Sequence, residues 1–229
     1  MSHHESPVVR HFFEKGQPLV FEKGEVIVGN EDIPNGIYYI DSGYVKTYSI
    51  SDNGDEYLHA ILAHGELFPI IWAYLGSKPD HLFYEAITTS TVWRISRESF
   101  NHYIQLDMKL SYEMSLQLAR QCSIYIDRID NLEYKKASER IAYYLLSLAS
   151  RFGSRNDDNE MVIDAPVTHE IFGNSINLAR ESVSREMERL KEEDVIAQYN
   201  HTILIKDLSA LTERLSRPAN FENWGLPVG

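Results

Sequence analysis

Arg180, Glu181, Ser184 and Arg185 have the residue types and the spacing to read the edges of base pairs. With Arg180 at zero on a helical wheel, Ser184 falls near about 40°, Glu181 near about 100° and Arg185 near about 140°. Ala179, Leu190, Val183 and Met187 fall on a separate arc from about 260° to about 340°. One arc can be buried, while the other presents two forked cations, a carboxylate and a hydroxyl. A guanidinium bonds guanine O6 and N7 bidentately and a carboxylate accepts from cytosine N4, so the polar arc has the chemistry of a major-groove reader. An ordinary amphipathic helix with a solvated charged face has the same pattern, and the neighbouring residues must decide between the two.

Those neighbours predict a helix-turn-helix. Thr168 suits the N-cap of a first helix of about two turns. Gly173 falls on that helix where a larger side chain would hold the second helix away. Asn177 stands where the turn needs a positive φ, which Asn tolerates better than most non-glycine residues. After the second helix, residues 195–205 alternate and turn at Asn200-His201, which predicts a β-hairpin wing. Within this frame Thr168, His169 and Ser182 are placed to contact phosphates and fix register, and Ser184 to contact a phosphate or a base.

The elements ahead of the reader are of two kinds. From Leu19 to Ile95 short aromatic and β-branched runs (Ile37–Ile40, Tyr44–Ile50, Tyr57–Leu62) alternate with turn signals such as Pro34-Asn35-Gly36, Asp41-Ser42-Gly43 and Asn53-Gly54. That spacing predicts a β-roll or small barrel. A helix of roughly Leu106 to Tyr134 follows. Its Leu110, Met114, Leu118, Gln121, Tyr125, Arg128 and Leu132 approximate a heptad seam, which suits either a parallel homodimer or a helix lying on the β-roll. Lys135-Lys136-Ala137 reads as a hinge, Ser138–Phe152 as a helix, and Gly153–Glu160 as a flexible exposed loop. The organisation expected is a β-roll domain over 1–105, a long helix and hinge over 106–136, a helix-turn-helix domain over 137–215, and a structureless tail over 216–229.

Bulk numbers bound the function. At 229 residues and 43% hydrophobic content, the chain suits two globular domains. It shows no signal-peptide pattern and no apolar run near the roughly 20 residues needed to span a bilayer. Its single cysteine, Cys122, fits a reducing cytoplasm. The net charge of −12 is spread as −7 over residues 1–137 and −5 over 138–229. Non-specific phosphate attraction must then be weak, and DNA affinity must come from local placement of cations.

Thr168, Gly173 and Arg180-Glu181-Ser182-Val183-Ser184-Arg185 resemble the DNA-binding helix pair of the cAMP receptor protein/fumarate-nitrate regulator family of bacterial transcription factors. Asn177 departs from the glycine common in that turn. The order IYYIDSGYVKTY, DNGDE, HGELF resembles the family's cyclic-nucleotide-binding-type β-roll, so the likeness runs over about residues 18–212. It implies an α+β protein: an N-terminal β-roll, a long dimerisation helix and a C-terminal winged helix-turn-helix. It also implies a homodimer on double-stranded DNA with TGTGA-like half-sites about 10 bp apart, and contact with RNA polymerase if the protein activates. No enzymatic activity, membrane partner, cofactor or metal is expected.

The sensor is less determined. Glu66 matches the family glutamate that accepts the ribose hydroxyl. The phosphate-clamping Arg-Ser pair falls at Asp80-His81, where a carboxylate would repel phosphate, and the base-contacting Thr-Ser pair falls at Tyr125-Ile126. Cyclic AMP is therefore not expected. The equivalent cavity would be lined by Glu66, Leu67, Phe68, Ile71, Trp72, Phe83, Tyr125 and Ile126, which suits a small apolar effector or a core filled by its own side chains. An iron–sulfur cluster of the family's type needs four thiolates. A haem on His59, His64 or His81, and a cupin-like metal enzyme on His59, His64 and Glu66, are the competing readings. Residues 59 and 64 point oppositely if one strand carries both.

Overall fold

The computed structural model describes residues 6–30, 32–77 and 82–217. The first unit of the chain, Met1–Tyr125, opens with helix α1 (Pro7–Phe13). Strands β1 (Gln17–Phe21), β2 (Val26–Val28), β3 (Ile37–Ser42), β4 (Val45–Ile50), β5 (Glu56–Leu62) and β6 (Leu67–Phe68) follow. Then come α2 (Ile70–Leu75), β7 (Leu82–Ala86), β8 (Ser90–Ile95), α3 (Arg97–Leu106) and α4 (Met108–Glu133). The strands form two antiparallel four-stranded sheets, ordered β1-β8-β3-β6 and β2-β7-β4-β5. This is the β-roll that the turn signals predicted. Gly54 takes a left-handed φ of +87° in the Asn53-Gly54 turn between β4 and β5.

Strand β3 shows how the roll is held. Side chains alternate across a strand, so Tyr38 and Ile40 face one way, and Ile37 and Tyr39 the other. Both sets are buried. Tyr38 and Ile40 enter a cluster with Val45, Leu62, Phe68, Tyr84 and Val92 inside the roll. Ile37 and Tyr39 enter a second cluster beneath the helices, with Phe13 of α1, Trp72 of α2, Phe100 of α3, and Leu110 and Met114 of α4. The short helices α1, α2 and α3 were not legible in the sequence. Each is anchored by only a few apolar residues and draws its stability from the sheet it covers.

The long helix corrects the sequence-read seam. Leu110 and Met114 are fully buried in the second cluster. Buried Gln121 donates its Nε2–H to the Leu67 carbonyl at 2.5 Å, and Gln117 donates to that of Gly65 at 2.9 Å. From Leu110 to Gln121 the β-roll of the same chain therefore occupies the face that was expected to pair with a partner. The exposed stripe is Met108, Tyr112, Ser115, Ala119, Cys122, Ile126 and Ile129, at spacings of 4, 3, 4, 3, 4 and 3. Met108, Tyr112, Ile126 and Ile129 are 88%, 63%, 57% and 60% exposed.

The second unit, Ile126–Gly229, takes the last two turns of α4. It continues with α5 (Ala137–Phe152), β9 (Gly153–Arg155), β10 (Met161–Asp164), α6 (His169–Ile176) and α7 (Arg180–Glu192). Strands β11 (Ile196–Tyr199) and β12 (Thr202–Ile205) and helix α8 (Leu208–Thr212) complete it. A sheet ordered β11-β12-β10-β9 packs with the helices around Ile141, Leu145, Leu146, Phe172, Val183, Met187 and Leu190. The segment expected to be a loop over 153–160 is instead a hairpin. Its turn is closed by Asn156 N–H to the Glu160 carbonyl and Glu160 N–H to Asn156 Oδ1. Met161 and Ile163 are buried on the inner face of β10, and that burial orders the pair. Of the expected tail, residues 218–229 lie outside the described residues.

Candidate nucleic-acid interface

The turn between α6 and α7 is built as the sequence requires. Thr168 caps α6, its Oγ1 accepting from the Ile171 N–H at 3.2 Å. Asn177 ends the helix in the left-handed region, at φ 54° and ψ 52°. A β-carbon on Gly173 would stand 2.4 Å from the Leu178 carbonyl oxygen, so only glycine lets the backbone after α6 pass this close. Phe172 packs edge-on against Tyr144, with ring centroids 4.7 Å apart. Tyr144 donates to Ser175 Oγ at 2.8 Å, fixing α6 against α5.

Helix α7 buries Val183, Met187 and Leu190. Ala179, expected on that arc, is the exposed N-cap residue instead. It makes no side-chain cap, which leaves the first N–H groups of the helix open to an anion. Arg180, Glu181 and Arg185 are exposed, and Ser182, Ser184 and His169 are half-buried. All lie on α7 or at the start of α6, within one folded unit.

Charge partners separate the two ends of α7. Toward its C-terminus, Arg189 pairs with Glu186 at 3.0 Å and Glu193 at 3.3 Å. Lys191 pairs with Glu188, and Arg214 with Glu186 and Glu193. Among the described residues Arg185, by contrast, has one hydrogen bond and no ion pair: it donates to Ser182 Oγ at a long 3.5 Å. Arg180 and Glu181 have no hydrogen bond or ion pair among the described residues. In a unit with net negative charge, the α7 cations without a carboxylate partner among the described residues are Arg180 and Arg185, on the predicted reading arc.

The eight residues expected around an effector cavity are not brought together. Phe68 is sandwiched between Tyr38 and Tyr84, 5.1 Å from each, inside the roll. Tyr125 packs on the same cluster. Burial pushes the Tyr84 hydroxyl far above the usual tyrosine range, and it also raises that of Tyr38, against the opposing cation of Arg94. Leu67 and Trp72 belong to the cluster under the helices, and Phe83 stacks on Tyr48 on the other face of β7. Ile71 is half-buried on α2, and Ile126 is exposed on the stripe of α4. Glu66 accepts from the Ala63 N–H at 2.7 Å, serving its own turn. His59 lies 2.9 Å from Ser49 Oγ, and His64 donates from Nδ1 to the Asp41 carbonyl. Asp80 and His81 lie outside the described residues.

Fold and site together define a two-domain protein of the DNA-binding regulator class: a β-roll of the cyclic-nucleotide-binding type, a long helix, and a winged helix-turn-helix whose second helix carries an exposed polar arc. Comparison with known proteins agrees. Residues 18–107 match the Cyclic nucleotide-binding domain, and residues 139–214 the Crp-like helix-turn-helix domain. The chain is 26% identical over 220 residues to the Fumarate and nitrate reduction regulatory protein of Escherichia coli (strain K12), covering 96% of this chain and 86% of that one. It is 25% identical over 169 residues to the cAMP-activated global transcriptional regulator CRP of Escherichia coli O6:H1, covering 74% and 80%. The structure of FixK2 from Bradyrhizobium japonicum superposes with a TM-score of 0.77 at 22% identity, covering 89% of this chain and 99% of that one. The chain belongs to the CRP/FNR family of transcription regulators. Among the described residues no helix is long and apolar enough to cross a membrane.

Proposed function

We propose that the chain acts as a cytoplasmic homodimer on double-stranded DNA, reading a palindrome of TGTGA-like half-sites. The observation that carries this reading is the solvent-facing arc of α7. Arg180 and Glu181 stand there without partners among the described residues, beside Arg185 and opposite buried Val183, Met187 and Leu190. Arg180 and Arg185 would bond guanines, and Glu181 would accept from cytosine. Thr168, His169 and Ser182 would meet phosphates, as would the open N-terminus of α7, while Ser184 would meet a phosphate or a base. If the protein activates, it would also contact RNA polymerase.

The exposed heptad stripe of α4 supports the dimer. Its strict alternation of 4 and 3 is the pattern two parallel helices need. Two such readers would engage half-sites centred about 10 bp apart. The interior of the roll is packed with Tyr38, Phe68, Tyr84 and Tyr125, which favours a regulator that does not respond to cyclic AMP. Fluorescence anisotropy without added ligand, on a TGTGA palindrome and on a duplex with the half-site guanines exchanged, tests the reading. Tight binding that depends on the guanines is expected. Equal affinity for both duplexes would sink the base-reading assignment.

A further inference from the structure

One guanidinium fastens the ends of two helices together. Arg140, in the first turn of α5, directs its Nε–H to the Tyr134 carbonyl at 2.8 Å and an Nη2–H to that of Leu132 at 3.2 Å. Both carbonyls lie at the end of α4. Its Nη1–H reaches the Ile176 carbonyl, 3.3 Å away, at the end of α6. The last carbonyls of a helix lack partners within it and carry the negative end of its dipole, so one cation serves both ends. Asn131, 2% exposed on α4, returns the bond by donating Nδ2–H to the Arg140 carbonyl at 2.9 Å. On the same face of α4, Arg128 extends an Nη2–H to Asn177 Oδ1 at 3.4 Å. Asn177 is the left-handed residue of the reader's turn. Glycine would supply that conformation but no acceptor.

We propose that Arg140, with Asn131 and the Arg128–Asn177 contact beside it, is a clamp that sets the angle between the last two turns of α4 and the recognition helix. Through that angle it fixes the half-site spacing a dimer accepts. The inference rests on the homodimeric DNA-reading assignment above. Arg140 lies on α5, away from the reading arc, and is a positioning residue. Lysine would keep the charge, but its single ammonium cannot reach three carbonyls as a planar fork does.

The test compares wild type, Arg140→Lys, Arg140→Ala and Asn177→Gly on the preferred palindrome, on duplexes with the spacing changed by two base pairs, and on one half-site. Both Arg140 variants should fall roughly tenfold or more on the palindrome and lose their spacing preference, while half-site affinity changes less than about twofold. Asn177→Gly, which keeps the turn conformation, should move the same way by a smaller factor. An unchanged spacing preference would overturn the clamp, as would equal losses on half-site and palindrome. A wild type with no spacing preference would instead remove the dimeric reading. The clamp is then judged without DNA, by electron–electron distance measurement between labels on Cys122 and Glu188→Cys, diluted with unlabelled chain. Arg140→Ala should broaden that distribution, and equal widths would overturn the proposal.

Discussion

The carbonyl oxygen of Leu178 occupies the space that a β-carbon on Gly173 would need, 2.4 Å from its ideal position. The obstacle is backbone, which cannot swing aside as a flexible side chain can. Gly173→Ala should therefore push α6 and the turn apart, at a cost of about 1–3 kcal/mol, the range for overpacking. A chemical-denaturation midpoint and DNA affinity should fall together. A variant as stable as wild type would show that the turn relaxes freely.

Arg180→Ala should cost roughly 1–3 kcal/mol on the preferred duplex and relax the preference for guanine at one position of each half-site. Because Arg180 has no partner among the described residues, the melting temperature of the free protein should stay within about a degree, as for most surface changes. Competition with base-exchanged duplexes measures the effect. An equal loss on every sequence would make Arg180 a phosphate contact.

Ile126 and Ile129 sit on the exposed stripe of α4. Ile126→Glu combined with Ile129→Glu should place like charges across the two-fold axis and shift sedimentation from dimer to monomer. On the same stripe Cys122 falls where two copies would meet. Mild oxidation of wild type should give a covalent dimer that reductant reverses. A cross-link that forms as fast in the double variant would rule this stripe out as the seam.

The helix-turn-helix was legible because each of its parts depends on a local residue property. A hydroxyl at Thr168 caps a helix, a missing side chain at Gly173 lets backbone pass, and Asn177 tolerates positive φ. Hairpins marked by Asn53-Gly54 and Asn200-His201 are local in the same way. The seam was misread because a helix with two apolar stripes does not say which one its own domain covers. Leu110 and Met114 make the stronger stripe, and the β-roll takes it. The Arg140 clamp left no signal at all, since its acceptors are backbone carbonyls brought together only by the fold.

Phe68 fills the space between Tyr38 and Tyr84 that an effector of the roll would need. Phe68→Ala should cost about 3–5 kcal/mol, the range for large-to-small changes in a core. Cyclic AMP added to wild type should leave both the melting temperature and DNA affinity unchanged. A clear upward shift in melting temperature with cyclic AMP would show that the stack opens to admit a nucleotide.

Asp127, in the second unit, carries a carboxyl raised from 3.8 to about 6. Burial is the main cause; the cation of Arg151 opposes it, and the like charge of Asp130 adds to it. Folding thus favours the protonated acid. That contribution is fully present below pH 3.8 and is lost as pH rises through about 6, so ionised Asp127 weakens the native state at neutral pH. Asp127→Asn removes the titration while keeping the shape. It should stabilise the protein by about 1 kcal/mol at pH 8, with allowance for the water that reaches a half-buried carboxyl. The gain should shrink steadily as pH is lowered through the same window. Urea midpoints of both proteins at pH 8, 6 and 4.5 measure it. A gap that is the same at all three values would mean that the amide acts through packing and that the Asp127 charge has no part in it.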